Sequence, residues 1–313
     1  MGPPTTAAGW AHEKRSKKAA KNDRTGNANP YAASMLGPDA GVGGLRIGRD
    51  PVKNVFVTGS TDGIGRQTAL MLAEAGHRVV LHARNDDRAE VAAAAVPAAA
   101  AVVVGDLTSL AQTLALAKAA TAEGPFDAVV HNAGIGSGGV RRRVTTEDGL
   151  ERTFQVNVLA PYVLTALIPL PQRLIYLTSG MASNGVIDLD DLQRERRRWD
   201  GTAAYCDSKL CDIALSFAMT RHYPQVSSTA VCPGWVRSRM GGPNAPTDLR
   251  TGAATQVWLA SSDEPAALTN GRYMRHMQVL EAPRPAGDLA VQEGLLAACA
   301  QLSGVRLDAR QAG

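Results

Sequence analysis

Two residues four positions apart, Tyr205 and Lys209 in the run TAAYCDSKLCD, have side chains that could carry acid–base chemistry. On a helix that spacing places both side chains on one face, where an ammonium group can hold a phenol close to ionisation. A free phenol has a pKa of about 10 and acts as an acid or base at neutral pH only with such help. The same spacing is common on solvated helices, so the interpretation depends on the residues that accompany the pair.

A glycine-rich turn precedes this pair. An apolar strand predicted at residues 54–57 runs into TGSTDGIG at residues 58–65, which opens a predicted helix over residues 63–76. The glycines of such a turn allow a tight bend, close approach of the backbone to phosphate and exposed amides at a helix N-terminus. A strand, a turn and a helix in this order form the first half of a βαβ unit that binds nucleotides. The alternative is an ordinary glycine-rich loop.

From Lys53 to about Met274 the chain resembles the short-chain dehydrogenase/reductase family, because further motifs follow in that family's order. Asp106 in VVVGDLTSL corresponds to the family's adenine-contacting Asp. The segment HNAG at residues 131–134 resembles the Asn-Asn-Ala-Gly segment that stabilises the central sheet, although His131 departs from the first Asn.

The resemblance also assigns roles to the catalytic residues. Tyr205 is expected to give a proton to a carbonyl oxygen, or to take one from an alcohol. Lys209 is expected to lower the pKa of that phenol and to hydrogen-bond the nicotinamide ribose. Ser179 is expected to hydrogen-bond the substrate oxygen, and Asn157 to hold a helix distortion and a water that relays protons to Lys209. For Ser179 and Asn157 taken alone, a strand-end turn and a polar helix contact are the alternatives.

The resemblance implies a cofactor site built from these motifs and from the Pro-Gly turn at residues 233–234, which borders the nicotinamide. The expected cofactor contacts are Gly59, Ser60, Thr61, Asp62, Gly63, Ile64, Gly65, Arg84, Asp106, Leu107, Asn132, Ala133, Gly134, Tyr205, Lys209, Pro233, Gly234 and Val236.

The end of the second predicted strand bears on the choice between NAD and NADP. An acidic residue at this position binds the ribose 2′-hydroxyl of NAD, whereas an Arg accommodates the 2′-phosphate of NADP. Ala83 occupies the position of that acidic residue and Arg84 follows it, so the sequence predicts NADP(H) as the cofactor. Asp62 argues the other way, because many NADP-preferring relatives carry Lys or Arg there.

Alternating strands and helices predict one α/β domain, a three-layer doubly wound parallel sheet of the Rossmann type. We expect a disordered basic extension at residues 1–50, a catalytic domain at residues 51–305 and a flexible tail at residues 306–313. A substrate lid is expected at about residues 235–255, because this segment is rich in Pro and Gly and follows the Pro-Gly turn.

Composition limits the functional classes. The chain has 313 residues and a formal net charge of +4, to which the N-terminal extension contributes much. A nucleic-acid arm or an organelle-targeting peptide is the alternative for this extension, but it lacks interleaved aromatic residues and an apolar core segment. No stretch has the roughly 18 apolar residues that span a membrane. Because the extension lacks interleaved aromatic residues, we expect no nucleic-acid partner. Four cysteines without a C-x-x-C pair indicate a reduced cytoplasm. The histidines lack metal-ligand spacing, so we expect no metal.

Substrate class follows from an inserted polar segment at residues 184–202, which the shortest family members lack. In this feature the chain resembles the retinol-dehydrogenase and protochlorophyllide-reductase branch and bacterial polyketide ketoreductases, which implies a lipophilic ketone or aldehyde, polycyclic or isoprenoid. Met181, Trp199, Trp235 and Met240 are candidates for an apolar lining, with plain packing as the alternative. Arginine runs at residues 141–143 and 194–198 recognise an acidic substrate in one interpretation and are solvated loops in the other.

The predicted function is therefore NADP-dependent hydride transfer between the cofactor and a small-molecule carbonyl or alcohol. The alternative is an NADP-sensing binding protein of the same fold. Epimerases and dehydratases of the wider family are a third option, although they have longer C-terminal domains. Family members often form a homodimer or homotetramer through the helices that carry Asn157 and Tyr205, and a predicted helix at residues 289–302 packs either on the core or on a partner.

Overall fold

The computed structural model describes residues 51–136 and 141–307, which form an eight-stranded sheet between two layers of helices. The strands are β1 (Asn54–Val57), β2 (Arg78–Ala83), β3 (Ala101–Val104), β4 (Ala128–His131), β5 (Arg173–Leu177), β6 (Ser227–Val231), β7 (Arg272–Arg275) and β8 (Gln278–Leu280). Their order is β3-β2-β1-β4-β5-β6-β7-β8, and every neighbouring pair is parallel except β7 and β8. The predicted doubly wound sheet is confirmed, with β8 added as an antiparallel edge.

Helices cover both faces of this sheet. They are α1 (Gly63–Glu74), α2 (Asp86–Ala95), α3 (Leu110–Glu123), α4 (Arg152–Phe154), α5 (Ala160–Leu167), α6 (Gly201–His222), α7 (Leu249–Ser261), α8 (Arg284–Gly287) and α9 (Leu289–Ser303). One π-helical turn (Gln155–Leu159) joins α4 to α5, and a 3₁₀ helix (Gly180–Asn184) follows β5.

Alternate residues of each central strand pack into two separate apolar cores, because successive side chains of a strand point to opposite faces. In β1, Phe56 enters the core that α3, α5, α6 and α9 cover, whereas Val55 and Val57 enter the core beneath α1 and α7. Burial on both faces explains why these strands are continuous apolar runs rather than alternating ones. Burial on both faces fixes the sheet between the helices, with the C-terminal ends of its seven parallel strands at one edge.

The structure corrects two of the predicted boundaries. The irregular part of the predicted lid ends at Asp248, because residues from Leu249 onward form α7, whose Ala253 is fully buried. The predicted flexible tail does not begin at residue 306, because Leu307 still packs against the core. The predicted helix at residues 289–302 is observed as α9 and packs on α6 of the same chain. The predicted extension at residues 1–50 and residues 308–313 lie outside the described residues.

Between residues 51 and 307, leaving out 137–140, no helix has both the length and the apolar character needed to cross a membrane.

Candidate active site

The residues that the sequence singles out come together at one edge of the sheet. The glycine-rich turn follows β1, Asn132 to Gly134 follow β4, Ser179 lies just beyond β5, and the Pro233-Gly234 turn follows β6. These four strands are parallel, so their C-terminal ends share one edge, where open α/β sheets bind their ligands. Helix α6 brings Tyr205 and Lys209 to the same edge.

Tyr205 and Lys209 lie one turn apart on α6 with different exposure. Lys209 is buried, and its Nζ lies 6.0 Å from the centre of the half-buried Tyr205 ring. The ammonium donates hydrogen bonds to Leu177 O at 2.9 Å and to Asp212 Oδ2 at 2.7 Å. Within the described residues the Tyr205 hydroxyl has no hydrogen-bond partner, so it can meet an external oxygen. A phenol next to a fixed cation is the arrangement that proton transfer at neutral pH requires.

Asp212 is a buried neighbour of Lys209 that the sequence analysis missed. Its side chain is buried against Lys209, three positions earlier on α6. Burial lowers the pKa of Lys209, but the charge of Asp212 and the contribution of Tyr205 outweigh this effect, so the net pKa is raised. Burial raises the pKa of Asp212 to about 6, against the attraction of Lys209. At neutral pH the two groups therefore form a charged pair inside the protein.

Asn157 lies at the centre of the π-helical turn between α4 and α5. Its Oδ1 accepts the Ile135 amide at 2.8 Å, and its Nδ2 donates to Ile135 O at 3.0 Å and to Ser208 Oγ at 2.9 Å. A Cβ on Gly134 would lie 3.3 Å from Lys209 Nζ and 3.4 Å from Asn157 Oδ1. Asn157 thus ties the loop after β4 to α6 and lies beside the Lys209 ammonium. π-helical turns are frequent at functional sites.

Ser179 is the N-cap of the 3₁₀ helix after β5, where its Oγ accepts the Met181 amide at 3.2 Å. The residue is half-buried, and the neighbouring Thr178 hydroxyl donates to the backbone carbonyl of Lys209. The end of β5 is therefore fixed to α6 at the lysine, which holds Ser179 in register with the Tyr205 and Lys209 face.

The glycine-rich turn has the tight geometry of a phosphate cradle. Gly59 has φ +63°, and a Cβ there would lie 2.8 Å from Ala133 Cα. A Cβ on Gly65 would lie 2.2 Å from Asn132 Nδ2 and 2.4 Å from Gly59 O. The Asp62 side chain caps the Gly63 amide, and the next amides of α1 have no carbonyl partner within the helix. These features fit a dinucleotide whose pyrophosphate meets a helix N-terminus.

His82 of β2 is a second residue that sequence reasoning missed. Its Nδ1 accepts the Gly59 amide at 2.9 Å, and its Nε2 lies 2.8 Å from Gly105 O, so the proton belongs on Nε2. Burial lowers the pKa of this imidazole and keeps it neutral. The ring therefore joins the glycine-rich turn to the loop after β3. In that loop Asp106 Oδ1 accepts both the amide and the hydroxyl of Thr108, each at 2.9 Å.

Two arginines follow β2 near the turn. Arg84 is exposed, and Arg88 of α2 donates to Thr61 Oγ1 at 3.0 Å. Asp62 lies 3.9 Å from Arg88 and also forms an ion pair with Arg239 from the loop after β6. The Asp62 charge is thus offset by two guanidinium groups. Arg88 could have been found from its position in the first turn of the helix that follows Arg84.

The segment between β6 and α7 borders the mouth of the site. Gly234 has φ +88°, and Val236 pairs with Thr247, which folds the intervening residues into a compact loop. Trp235 and Met240 in this loop are 59% and 56% exposed. A Cβ on Gly136 would lie 3.4 Å from Met240 Sδ, so the loop reaches the segment after β4.

The basic part of the inserted segment is not simply solvated. Arg194 Nε lies 2.8 Å from Asp207 Oδ2 of α6, and Arg197 Nε lies 2.9 Å from Asp191 Oδ2. Asp207 and Asp191 are both buried. Arg197 Nη1 also lies 3.5 Å from Asp207 Oδ2. Solvation is therefore the wrong interpretation for these two arginines, because both attach the insert to the helix that carries Tyr205.

Comparison with known proteins agrees with this geometry. The family model described as short chain dehydrogenase matches residues 53–248. The uncharacterised oxidoreductase AN7799 of Emericella nidulans is 41% identical over 254 residues, which cover 80% of this chain and 97% of that protein. DnrU of Streptomyces, a candidate daunorubicin C-13 ketoreductase, is 36% identical over 77% of this chain and 90% of its own length. Human retinol dehydrogenase 13 is 34% identical over 61% of each chain.

Solved structures share the fold. The crystal structure of an uncharacterised protein from Mycobacterium paratuberculosis has a TM-score of 0.70 at 25% identity, over 83% of this chain and 98% of that one. The blue fluorescent protein from a metagenomic library, solved in complex with NADPH, has a TM-score of 0.57 at 23% identity, over 74% and 97% of the two chains.

Proposed function

Because the chain belongs to the short-chain dehydrogenase family of oxidoreductases, we propose that it is an NADP(H)-dependent reductase of lipophilic ketones or aldehydes, with Tyr205 as proton donor. The observation that carries this proposal is the half-buried phenol of Tyr205 next to the buried ammonium of Lys209. When bound, the nicotinamide supplies or accepts the hydride. The residues of the chain supply the proton and the field around the substrate oxygen.

Each residue has a separate task in this mechanism. Tyr205 donates its hydroxyl proton to the carbonyl oxygen in reduction and takes it back in oxidation. Lys209 stabilises the resulting phenolate by its charge, and its free N–H is available to the nicotinamide ribose. Ser179 hydrogen-bonds the substrate oxygen and stabilises charge that develops there. Asn157 holds the loop after β4 beside Lys209, where a water relaying protons to the lysine would be bound.

The first experiment measures loss of NADPH absorbance when the purified protein meets a panel of polycyclic and isoprenoid ketones and aldehydes. Tyr205→Phe is the control, since it keeps the ring and removes the proton. Turnover by wild type that disappears in Tyr205→Phe supports the reductase. Tight NADPH binding without turnover on an extended panel would favour the NADP-sensing alternative. A chain that binds no nicotinamide cofactor would contradict both.

NADP(H) preference is supported by the residues at the end of β2. Ala83 occupies the position where an NAD-binding protein carries an acidic residue. Arg84 and Arg88, which follow it, can bind a 2′-phosphate. Arg88 and Arg239 offset the Asp62 charge that would repel that phosphate. Two fold relatives were solved in complex with NADPH and NADP.

Arg84→Ala and Arg88→Ala should each raise KM for NADPH by about tenfold or more, because a hydrogen bond to a charged group contributes about 1.5–3 kcal/mol. KM for NADH should change little, since NADH lacks the 2′-phosphate. Arg78→Ala is the matched control, because Arg78 opens the same strand at the opposite edge and pairs with Glu123. Equal losses with NADPH and NADH would contradict the assignment.

A lipophilic substrate is supported by exposed apolar side chains at the mouth of the site. Met181 follows Ser179, and Trp235 and Met240 belong to the loop after β6. Large exposed apolar side chains grouped at one site mark a binding surface more often than chance exposure. The names of two relatives, a candidate daunorubicin ketoreductase and a retinol dehydrogenase, point to substrates of this class. The four free cysteines, all buried, agree with a reducing cytoplasm.

A further inference from the structure

We propose that Asp212 is a positioning residue of the active site, which holds the Lys209 ammonium in place and through it sets the electrostatic field at the Tyr205 phenol. This inference deepens the proposed reductase function and depends on it for its kinetic consequences. The structural part, the hold on Lys209, can be tested without turnover.

The geometry assigns Asp212 to Lys209 and to no other charge. Asp212 Oδ2 lies 2.7 Å from Lys209 Nζ, and the exposed fractions of the two side chains are 3% and 6%. The Lys209 ammonium also donates a hydrogen bond to Leu177 O at the end of β5, so it is fixed between the helix and the sheet. Two of its three N–H groups are thereby used, which leaves one for Tyr205 or a ribose hydroxyl.

The groups that face Asp212 from the elements packed around it are Lys209 and Cys211 on α6 and Tyr176 on β5. Burial raises the pKa of the Cys211 thiol and of the Tyr176 phenol, so both stay neutral near pH 7. Lys209 is thus the charged neighbour of the carboxylate within the described residues. A surface i,i+3 pair would contribute little, but here both partners are away from water.

Two effects on the reaction follow from this pairing. The carboxylate keeps the buried lysine protonated, which burial alone would oppose. It also reduces the positive field at the Tyr205 phenol, because an ion pair acts as a dipole rather than as a full charge.

Asp212→Asn tests both effects, since the amide keeps the shape and removes the charge. In reduction, the alkaline limb of the kcat/KM profile should move to lower pH by about one unit, because Lys209 then loses its proton more readily. A purely structural role would lower kcat/KM at every pH and leave the limb in place. Asp212→Glu, which restores a carboxylate, should return the limb towards the wild-type position.

A second readout needs no activity. With lysine labelled by ¹³C at Cε, the Lys209 signal, identified by its loss in Lys209→Arg, reports protonation of the ammonium. Its midpoint in Asp212→Asn should fall by about one unit or more relative to wild type. Asp207→Asn is the matched control, since Asp207 is a buried carboxylate of α6 that pairs with Arg194 instead. It should leave the Lys209 midpoint unchanged.

The outcomes separate the two proposals. A lowered Lys209 midpoint in a protein that reduces no compound of the panel supports the hold on Lys209 and contradicts the reductase function. An unchanged midpoint and an unmoved limb overturn the role of Asp212, whatever the activity. If Asp212→Asn does not fold, Asp212→Ser is measured in its place. Failure of both to fold would assign Asp212 to stability and overturn the positioning role.

Discussion

Lys209 is the cation proposed to act on Tyr205 and is one half of a buried ion pair, so its removal should cost stability as well as activity. Lys209→Met leaves Asp212 buried without a partner, and breaking such a pair costs about 3–5 kcal/mol of the free energy of unfolding. The double variant Lys209→Met/Asp212→Leu replaces both charges by apolar groups and should recover most of that loss while remaining inactive. Chemical denaturation of both variants measures the difference.

The contrast between stability and activity is the discriminating result. If the single and double variants unfold at the same denaturant concentration, an unpaired Asp212 carboxylate costs no stability, which would contradict this prediction. If the double variant regains activity, Lys209 is not the group that tunes the phenol.

For single residues, the sequence was most informative where the residue belongs to one of several motifs that follow each other in a set order along the chain. The residues that could be chosen were those whose types and order along the chain suit one reaction, namely Asn157, Ser179, Tyr205 and Lys209. The structure brings them to one edge of the sheet. Asp212 could not be chosen, because a carboxylate three positions after a lysine is usual on solvated helices. Only the packing of α9 and β5 against α6 shows that this carboxylate is buried.

Among the structural elements, the glycine-rich turn is where one added methyl group should have the largest effect. Gly65→Ala places a Cβ 2.4 Å from Gly59 O and 2.2 Å from Asn132 Nδ2, so the turn must open. We expect a loss of about 1–3 kcal/mol in stability from overpacking and a NADPH affinity at least about tenfold weaker, measured by cofactor fluorescence. Gly287→Ala in α8, with open space around the new Cβ, is the matched control and should change neither.

Wild-type affinity in Gly65→Ala would mean that the cofactor does not approach the backbone at this turn. Asn132 also holds the glycine-rich turn in place. Its Nδ2 donates to Thr58 O at 2.8 Å and to Gly59 O at 3.2 Å.

The inserted segment should depend on pH through one buried carboxylate. Burial raises the pKa of Asp191, but hydrogen bonds from the Arg197 guanidinium and from three backbone amides together lower it to about 2, from an ordinary value of 3.8. A carboxyl whose pKa is lower in the folded chain stabilises the fold above the ordinary value, and this contribution is lost as the pH falls through the folded value. The anchoring should therefore weaken between about pH 4 and pH 2.

Amide hydrogen exchange of residues 188–199, corrected for intrinsic rates, measures this weakening. Asp191→Asn should exchange faster at neutral pH and remove the change on acidification. Glu195→Gln is the control, because Glu195 is exposed and pairs with Arg143 at the surface, where ion pairs contribute little. A wild-type insert whose protection stays constant down to pH ~2 would contradict the role of Asp191.

Element prediction succeeded where the apolar pattern was long and failed where it was short. The strand predicted at residues 54–57 is observed with the same bounds, because it is an apolar run that ends at a glycine-rich turn. The hairpin of β7 and β8 was not predicted, since RYMR and QVL are short and half polar. Their pairing comes from the neighbouring β6 and from the turn at His276 and Met277, both with positive φ.

At the scale of the whole molecule, α6 is covered largely by other parts of the same chain. Fourteen of the 22 residues of α6 are buried within one chain, and the C-terminal helix α9 packs along it. Arg221 and His222 near the end of α6 bind Glu293 of α9, at 2.7 and 3.0 Å. Neither α5 nor α6, which the structure describes completely, exposes a large apolar side chain. A face that is already covered by the chain itself offers little area to a second copy.

We therefore expect a monomer of 32.8 kDa in solution, in contrast to the homodimer or homotetramer that the family resemblance implies. Light scattering after size exclusion measures the mass directly, across protein concentrations. Leu295 and Leu296 of α9 are buried at this contact, so Leu295→Asp/Leu296→Asp should release the helix and expose α6. That variant should associate or precipitate, whereas Leu289→Asp, on an exposed residue of the same helix, should stay monomeric. A dimeric wild type that the α9 variants do not alter would mean that copies assemble through another face.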